Sequence, residues 1–304
     1  EPRWRRPLAP LVGRVTEARR LKHFARLAAA RLVVASAGTP GKFLGSRLVF
    51  SPDLYILHTY PLETGFFRGI KRLLFRFRLP RKTRYLTVSR ASETEMSRVW
   101  GMSPKAFSLG FVYSTAGELP KKRAKARTDE EVLTVGHVED HKNPNLWIRV
   151  ACEVLRQCPK ARFRWVGGGS LLDACRQEVE AMDLSHAIRF EGHHDRVDTF
   201  FYRASLYFQP SRVESLGLSV LDAMRYGIPA VVSGRGGLPE GVEHRVTGLV
   251  MDELRESHFS EGIVELFNNR ELADTLGRQA RVRYKHSFST DLWKSHMRRE
   301  LGIG

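Results

Sequence analysis

The chain has 304 residues, of which 42% are hydrophobic; this is enough for two domains with buried cores and excludes a wholly disordered chain. No apolar run approaches the roughly 18–20 residues of a membrane-spanning helix, and the first ten residues lack the apolar segment of a signal peptide. The formal net charge is +17, and all of the excess lies in residues 1–127, which hold 27 Lys and Arg against 7 Asp and Glu.

This one-sided charge indicates that the front part of the chain faces a polyanion, either a lipid surface or a nucleic acid. A basic surface that only keeps the protein soluble is the alternative. The three cysteines, Cys152, Cys158 and Cys175, form no C-x-x-C pair, so neither a disulfide framework nor a zinc site is expected. We therefore expect a cytoplasmic protein with reduced thiols.

Strands and helices alternate along the chain, which is typical of α/β folds with parallel sheets. The segments of the front half with the composition of buried strands are 31–36, 53–58 and 84–89. Residues 90–101 are predicted to form a helix that ends at Gly101. The polar, basic and non-periodic segment 114–129 is the best candidate for a linker.

Behind this linker the alternation starts again. The predicted strands are 131–137, 161–170 (which runs into a glycine turn), 188–193, 204–211, 228–233 and 247–251. The predicted helices are 143–158, the second part of 214–226, and further helices from about Ser260. The pattern favours two doubly wound domains. We predict a basic, abbreviated first domain over 1–113, the linker, a second domain over 130–285, and a helix over 286–304 that packs back toward the first domain.

The segment SRVESLGLSVLDAMRYGIPAVVSGRGGLPE, residues 211–240, places acidic residues and glycines around the start of a helix. The unpaired backbone N–H groups of the first turn, with the positive end of the helix, favour a bound phosphate. Gly217 leaves room for a ligand there, Glu214 stands just before the turn, and Asp222 lies about one turn further in. This arrangement fits a sugar on one side and a ribose on the other. A core helix with a capping acid is the alternative.

Three further turns follow predicted strands, at the edge where a doubly wound sheet binds its ligands. The turn over 135–144 offers Lys142, a flexible point charge suited to a diphosphate. The turn VGGGS contains Gly168 and Gly169 and lets a nucleotide approach the backbone, and GRGGLPE over 234–240 is the third. Four such turns in one domain are a stronger signal than a lone glycine turn.

These motifs make residues 130–255 resemble the donor-binding domain of the retaining, nucleotide-sugar-dependent glycosyltransferases of family 4. That family's signature is a Glu, seven residues and a second Glu, followed by A-M-A-x-G-x-P-V-V and G-G-x-x-E. It stands here as Glu214, seven residues and Asp222, followed by AMRYGIPAVVSGRGGLPE. The resemblance implies the GT-B fold, in which two Rossmann-like doubly wound domains face each other across a cleft.

The resemblance also implies a role for each site residue. Glu214 is expected to bind hydroxyls of the donor sugar, Asp222 to bind the ribose, and Lys142 to neutralise the leaving diphosphate. The backbone N–H groups expected to hold the sugar and diphosphate are those of Leu216, Gly217 and Leu218. No cofactor and no metal are implied, and the chain has no Asp-x-Asp.

Two residues depart from the family pattern. Asp222 is one methylene shorter than Glu, so its ribose contact is either water-mediated or missing. His137 stands where the family has Arg, which makes a phosphate contact weaker and pH-dependent. An exposed turn residue without a ligand is the alternative for His137.

The resemblance is thinner in the front half. The segment SPDLYILHTYPLETG is similar to the family's D-x-x-h-x-H strand end, which implies that His58 lies beside the transferred sugar, opposite Lys142. A structural histidine is the alternative. The family's usual glycine-rich first loop is not clear, so this acceptor-side domain is predicted to be short or altered.

Residues 66–84 place Phe and Leu side chains on one helical face and Arg and Lys side chains on the other. This pattern is typical of a helix that lies on an anionic membrane surface. A helix that packs on its own domain with a solvated basic face is the alternative, and contact with nucleic acid is a weaker one.

The sequence therefore predicts a metal-independent enzyme that moves a hexose-type sugar from a nucleotide diphosphate sugar to a hydroxyl of a lipid-linked or polysaccharide acceptor. It is predicted to be cytoplasmic and peripheral on the inner face of the membrane. The alternatives are a glycosyltransferase that acts on nucleic acid, a non-catalytic nucleotide-sugar-binding protein and, more weakly, a phosphorylase of similar fold.

Overall fold

A computed structural model of the chain describes residues 34–37, 54–58, 84–110 and 130–302. The chain divides into two compact units, one of Glu1–Phe111 with Lys294–Gly304 and one of Val112–Trp293. The predicted linker 114–129 and the amphipathic segment 66–84, except for Arg84, lie outside the described residues. The predicted domain boundaries and the membrane helix therefore stay predictions.

The first unit contains a parallel sheet whose strands are in the order β1-β2-β3-β4. These strands are β1 (Val34–Ala37), β2 (Leu54–Leu57), β3 (Arg84–Thr87) and β4 (Phe107–Leu109). Helix α1 (Arg90–Trp100) begins after Ser89, whose hydroxyl oxygen accepts the N–H of Ser92 at 3.0 Å. It ends at Gly101, which has the left-handed conformation (φ 66°), so the predicted helix end is confirmed.

The second unit contains a parallel sheet with the order β10-β9-β8-β5-β6-β7. Its strands are β5 (Glu131–Val135), β6 (Arg162–Val166), β7 (Ile188–Gly192), β8 (Leu206–Gln209), β9 (Ala230–Ser233) and β10 (Gly248–Met251). Each lies inside a strand predicted from the sequence. The chain builds outward from β5 in one direction and then crosses back to β8 on its other side. The strand order therefore reverses between β5 and β8, and such a reversal leaves a crevice at the carboxyl ends of the two strands.

Helices follow the strands of this second sheet. They are α2 (Pro144–Gln157), α3 (Leu172–Ala181), α4 (Asp198–Arg203), α5 (Leu218–Arg225), α6 (Leu238–Gly241), α7 (Glu256–Asn268), α8 (Arg270–Ser287) and α9 (Thr290–Leu301). The sequence pattern missed α3 and α4 because few of their residues are buried, Cys175 and Val179 in α3 and Phe201 in α4, so neither has a clear apolar periodicity. From Lys294 onward the chain belongs to the first unit.

The core of the second unit is built around Trp147 of α2, which is fully buried. Its ring lies 5.3 Å from that of Trp165 on β6 and 5.2 Å from that of Phe190 on β7. Its indole N–H donates to the Thr134 hydroxyl at 2.7 Å, so the aromatic cluster leaves no buried indole donor unpaired. This packing fixes the carboxyl ends of β5 and β6, from which the site loops start.

Each helix among the described residues is too short or too polar to cross a membrane.

Candidate functional site

Two loops meet at the reversal of strand order. One follows β5 and the other follows β8. The backbone N–H of Arg212 donates to the carbonyl oxygen of His141 at 2.8 Å, and the Asn143 side chain donates to the carbonyl oxygen of Pro210 at 3.2 Å. Because both loops begin at adjacent parallel strands, these bonds hold them side by side over the crevice.

The ion pair between Lys142 and Glu214 lies where these loops meet. Lys142 Nζ is 2.5 Å from Glu214 Oε2, and the two side chains are 12% and 15% exposed. The amide of Gln209, the last residue of β8, donates to the same carboxylate oxygen at 2.8 Å. The other oxygen, Oε1, makes no hydrogen bond within the part of the chain that the structure describes. Glu214 therefore keeps an acceptor for a ligand hydroxyl.

The turn after β9 fixes the backbone of Glu214. The N–H of Gly237 donates to the Glu214 carbonyl oxygen at 2.9 Å. Gly236 is left-handed (φ 59°), and a Cβ at this position would lie 2.0 Å from the same oxygen. The sequence GRGGLPE thus serves the site through close backbone contact, which only glycine permits here.

Gly217 precedes helix α5 and has the left-handed conformation, with φ at 87°. Among the described residues, no acceptor pairs with the backbone N–H groups of Leu216, Gly217 and Leu218. Leu216 is buried and anchors the turn, whereas the Leu218 side chain is 41% exposed. These N–H groups stand at the positive end of α5, beside the Glu214 loop, which is the arrangement that binds anions.

Asp222 lies in the interior of α5 with its side chain 13% exposed. Its Oδ1 is 4.0 Å from Nη1 of Arg225, which is 2% exposed. Burial raises the pKa of Asp222 to about 7, and the Arg225 charge only partly opposes this rise. A carboxyl group that titrates near neutrality can either donate or accept a hydrogen bond, but its contact with a ribose stays a prediction.

The glycine turn after β6 is tied to the loop after β5. The N–H of Val138 donates to the carbonyl oxygen of Gly168 at 2.8 Å, and a Cβ on Gly169 would lie 2.4 Å from the Val138 carbonyl oxygen. The Ser170 N–H and hydroxyl both donate to the Glu139 carboxylate, which lowers its pKa. The predicted turn is therefore part of the same crevice edge, while the His137 side chain is exposed.

His58 follows β2 directly and belongs to the first unit, whereas every other predicted site residue belongs to the second. The side chain is accessible to solvent, yet partial loss of hydration lowers its pKa. The predicted position of His58 beside the transferred sugar stays a prediction.

Sequence reasoning missed two residues of this site. Gln209 was treated as part of an apolar strand, although a polar residue at the carboxyl end of LYFQ is itself a signal of a site. His141 stands between Asp140 and Lys142, and burial followed by the neighbouring Lys142 charge lowers its pKa. Its neutral form is therefore favoured next to the ion pair.

Across the described segments, no group of three His, Cys, Asp or Glu residues could hold a metal ion. Whether the reaction needs a metal is a separate question, and metal independence stays a prediction.

Residues 116–283, more than half of the chain, match the family described as glycosyl transferases group 1. A GDP-mannose-dependent alpha-(1-6)-phosphatidylinositol monomannoside mannosyltransferase of Mycobacterium tuberculosis is 25% identical over 170 residues, 53% of this chain and 44% of that protein. The chain spans 47% and 44% of the first two curated relatives that it matches.

Two solved structures share the fold. Sucrose-phosphate synthase from Thermosynechococcus elongatus has a TM-score of 0.78 at 19% identity, covering 93% of this chain and 75% of that one. Anabaena HepE in complex with UDP-glucose has a TM-score of 0.76 at 18% identity, covering 94% of this chain and 81% of that one. These likenesses confirm the predicted fold class, α/β with two Rossmann-like domains of the GT-B type.

Proposed function

The chain belongs to the glycosyl transferases group 1 family, and on that premise we propose that it moves a hexose-type sugar from a nucleotide diphosphate sugar to an acceptor hydroxyl. We further propose that the sugar is transferred with retention at the anomeric carbon, as the resemblance to glycosyltransferase family 4 implies. Anabaena HepE, which shares the fold, was solved in complex with UDP-glucose.

The observation that carries this proposal is the Lys142–Glu214 pair beside the amino end of α5. A cation and unpaired N–H groups suit a diphosphate, while the unoccupied Oε1 of Glu214 suits a sugar hydroxyl. A nucleotide sugar offers both groups a few bonds apart. A purely structural ion pair does not need the adjoining helix end with its unpaired N–H groups.

In the proposed reaction the bond between the anomeric carbon and the diphosphate oxygen breaks, and the acceptor oxygen bonds to the same face of that carbon. Negative charge grows on the diphosphate as the bond breaks. Lys142 and the N–H groups of Leu216–Leu218 stabilise that charge, which lowers the barrier. The acceptor's proton passes to an oxygen of the leaving phosphate, and no protein nucleophile is required.

The proposed acceptor is a lipid-linked or polysaccharide hydroxyl at the cytoplasmic face of a membrane. Two observations support it. Residues 1–127 carry a formal charge of +20, which favours an anionic surface. One relative's name specifies a phosphatidylinositol mannoside as acceptor.

The test is a turnover screen over UDP-, GDP- and ADP-sugars, with and without anionic lipid vesicles, that measures released nucleoside diphosphate. Lys142→Ala and Glu214→Ala are compared with Lys160→Ala, which removes a lysine of equal charge from an exposed position before β6. We expect one donor to be consumed by wild type and Lys160→Ala and by neither site variant. Retention is read from the anomeric configuration of the product by NMR.

The outcomes separate the alternatives. Stimulation by vesicles supports a membrane acceptor, whereas activity that requires DNA or RNA and falls steeply with salt supports a nucleic-acid acceptor. Binding of a nucleotide sugar without turnover in any acceptor screen supports a non-catalytic protein. If Lys160→Ala loses as much activity as Lys142→Ala, the assigned site is wrong.

A further inference from the structure

Gln209 is 1% exposed and ends strand β8 at the reversal of strand order. Its side-chain amide donates to Glu214 Oε2 at 2.8 Å and to the Ser211 hydroxyl at 3.2 Å. Both N–H groups of the amide are therefore used, one of them on the carboxylate that faces the ligand. A buried amide needs such partners, since an unpaired one would destabilise the fold.

The carbonyl end of Gln209 is fixed as well. The Tyr207 hydroxyl lies 3.0 Å from Gln209 Oε1 and 2.7 Å from the Ser219 hydroxyl, which is itself 3.4 Å from the same oxygen. Tyr207 is fully buried, and burial raises the pKa of its hydroxyl, which keeps it protonated as a donor. The Tyr207 hydroxyl has a single proton and also faces the Val135 carbonyl oxygen at 3.3 Å, so the linked Tyr207 and Ser219 hydroxyls together supply one hydrogen bond to the Gln209 carbonyl oxygen. The amide therefore presents its N–H side to the carboxylate.

We propose that Gln209 is a positioning residue that holds Glu214 in place while Lys142 turns from that carboxylate to the diphosphate of the donor. This inference rests on the proposed function. The ion pair alone cannot hold Glu214 once Lys142 contacts the diphosphate, so a second residue is required to hold the carboxylate. Lys142 has a single Nζ, and the same cation is needed by the carboxylate in the empty site and by the diphosphate in the occupied one.

When Lys142 contacts the diphosphate, Glu214 Oε2 loses its strongest partner. The Gln209 amide stays on that oxygen because its own carbonyl is fixed by Tyr207 and Ser219 from the opposite side. Glu214 Oε1 then keeps its direction toward the sugar. Without Gln209 the carboxylate is free to follow Lys142, and the sugar loses its acceptor while the diphosphate keeps its cation.

The variant Gln209→Leu removes the amide N–H donor and replaces the side chain with an apolar one of similar size. Its matched control is Ser233→Ala, which deletes another buried hydrogen bond at this edge, from the Ser233 hydroxyl to the Ser211 carbonyl oxygen at 2.6 Å. Binding is measured by calorimetry with UDP and UDP-glucose, GDP and GDP-mannose, and ADP and ADP-glucose, and turnover with the donor that the screen identifies.

We expect Gln209→Leu to weaken binding of the nucleotide sugar and to lower kcat/KM roughly 10- to 150-fold, the range for a hydrogen bond to a charged group. The affinity for the nucleoside diphosphate alone stays within about twofold of wild type, because Lys142 is untouched. Tyr207→Phe shifts the same quantities in the same direction by less. Ser233→Ala changes neither ligand's affinity.

A double-variant cycle shows whether Gln209 acts through Glu214. In the Glu214→Ala background, Gln209→Leu should cause no further loss of kcat/KM. Additive losses, or equal weakening of the nucleoside diphosphate and the nucleotide sugar, would mean that Gln209 only supports packing and would overturn the inference. If wild type binds no nucleotide sugar, the proposed function itself fails and this inference with it.

Discussion

In the six-stranded sheet, one glutamate held by cations lies at the amino ends of the strands and another at the carboxyl ends. The two differ in whether a carboxylate oxygen remains accessible. At the amino end, Glu131 is 5% exposed and lies between two guanidinium groups, 3.2 Å from Arg164 Nε and 3.5 Å from Arg203 Nη2. At the carboxyl end, Glu214 is 15% exposed, and its bonds from Lys142 and Gln209 both end on Oε2. Within the described residues each glutamate leaves its Oε1 without a hydrogen bond, but only the Oε1 of Glu131 is buried.

The difference teaches that an ion pair by itself does not mark a site. Arg164 pairs with Glu191 as well as Glu131, so the amino-end charges are used to join neighbouring strands. The carboxyl-end pair lies at the reversal of strand order, next to unpaired N–H groups of a helix start. Position in the topology, an accessible carboxylate oxygen and the neighbouring helix start therefore separate Glu214 from Glu131.

The largest expected effect is on catalysis at the carboxyl end. Glu214→Gln keeps the shape of the side chain but removes its charge and one of the two acceptor oxygens, which are proposed to bind the sugar. We expect kcat/KM with the identified donor to fall about 100- to 1000-fold. Because the charge of the mostly buried Lys142 loses its partner, chemical unfolding should also show a loss of stability of about 3 kcal/mol, so activity is measured at a temperature where the variant is folded. A variant that keeps more than a tenth of the wild-type activity would place Glu214 outside the transfer step.

The corresponding change at the amino end, Glu131→Gln, is expected to act on stability alone. Removing the carboxylate leaves Arg164 without one of its two partners in a mostly buried position, which costs about 3 kcal/mol of unfolding free energy. Urea unfolding measures this loss, and kcat/KM at a temperature where the variant is folded should equal that of wild type. If Glu131→Gln lost activity without losing stability, the contrast drawn between Glu131 and Glu214 would be wrong.

A smaller effect is expected for Gly217→Ala. The left-handed conformation strains any other residue, and the new Cβ would lie 2.7 Å from Leu238 Cδ2, so the expected loss is about 2 kcal/mol. Gly302→Ala is the matched control, because Gly302 is also left-handed (φ 66°) but has nothing within 4 Å of its Cβ position. Thermal unfolding should rank Gly217→Ala as the more destabilised; equal losses would rule out the close approach.

The smallest expected effect is the pH dependence from Asp222. Its pKa is raised to about 7, so the protonated form stabilises the fold at pH 4, and this contribution is lost as the pH rises to about 7. Asp222→Asn does not titrate, and we expect its Tm to exceed that of wild type by several °C at pH 8 and to fall toward it at pH 4. Asp173→Asn, at an acid that is 89% exposed, should show no such trend.

Much of the second unit could be predicted from the sequence. Every strand from β5 to β10 lies within a predicted segment. The central strands β8 and β9 are buried along their whole length and have mostly apolar sequences, whereas β6 and β7 alternate exposed or partly exposed charged residues with buried apolar ones. Most of the observed strands are shorter than the predicted ones, because the terminal residues of the predicted segments already belong to the turns. Gly217 and Gly236 lie in predicted turns, and both have left-handed backbones.

Tertiary structure alone decided which residues of those turns meet. Lys142 and Glu214 are 72 positions apart, and only the crossing from β7 back to β8 makes their strands neighbours. The sequence shows Gln209 only as a polar residue at the end of a strand. Its contacts with a carboxylate on one side and hydroxyls on the other appear only in the structure.

The sequence by itself determined the fold class, the family motif and the residue types of the site, because local patterns of burial and glycine spacing encode them. It could not determine the direction of each side chain, the rise in the pKa of Asp222, or the pairing of Lys142 with Glu214. Those follow from long-range packing, since desolvation and hydrogen-bond geometry depend on neighbours that lie far away along the chain.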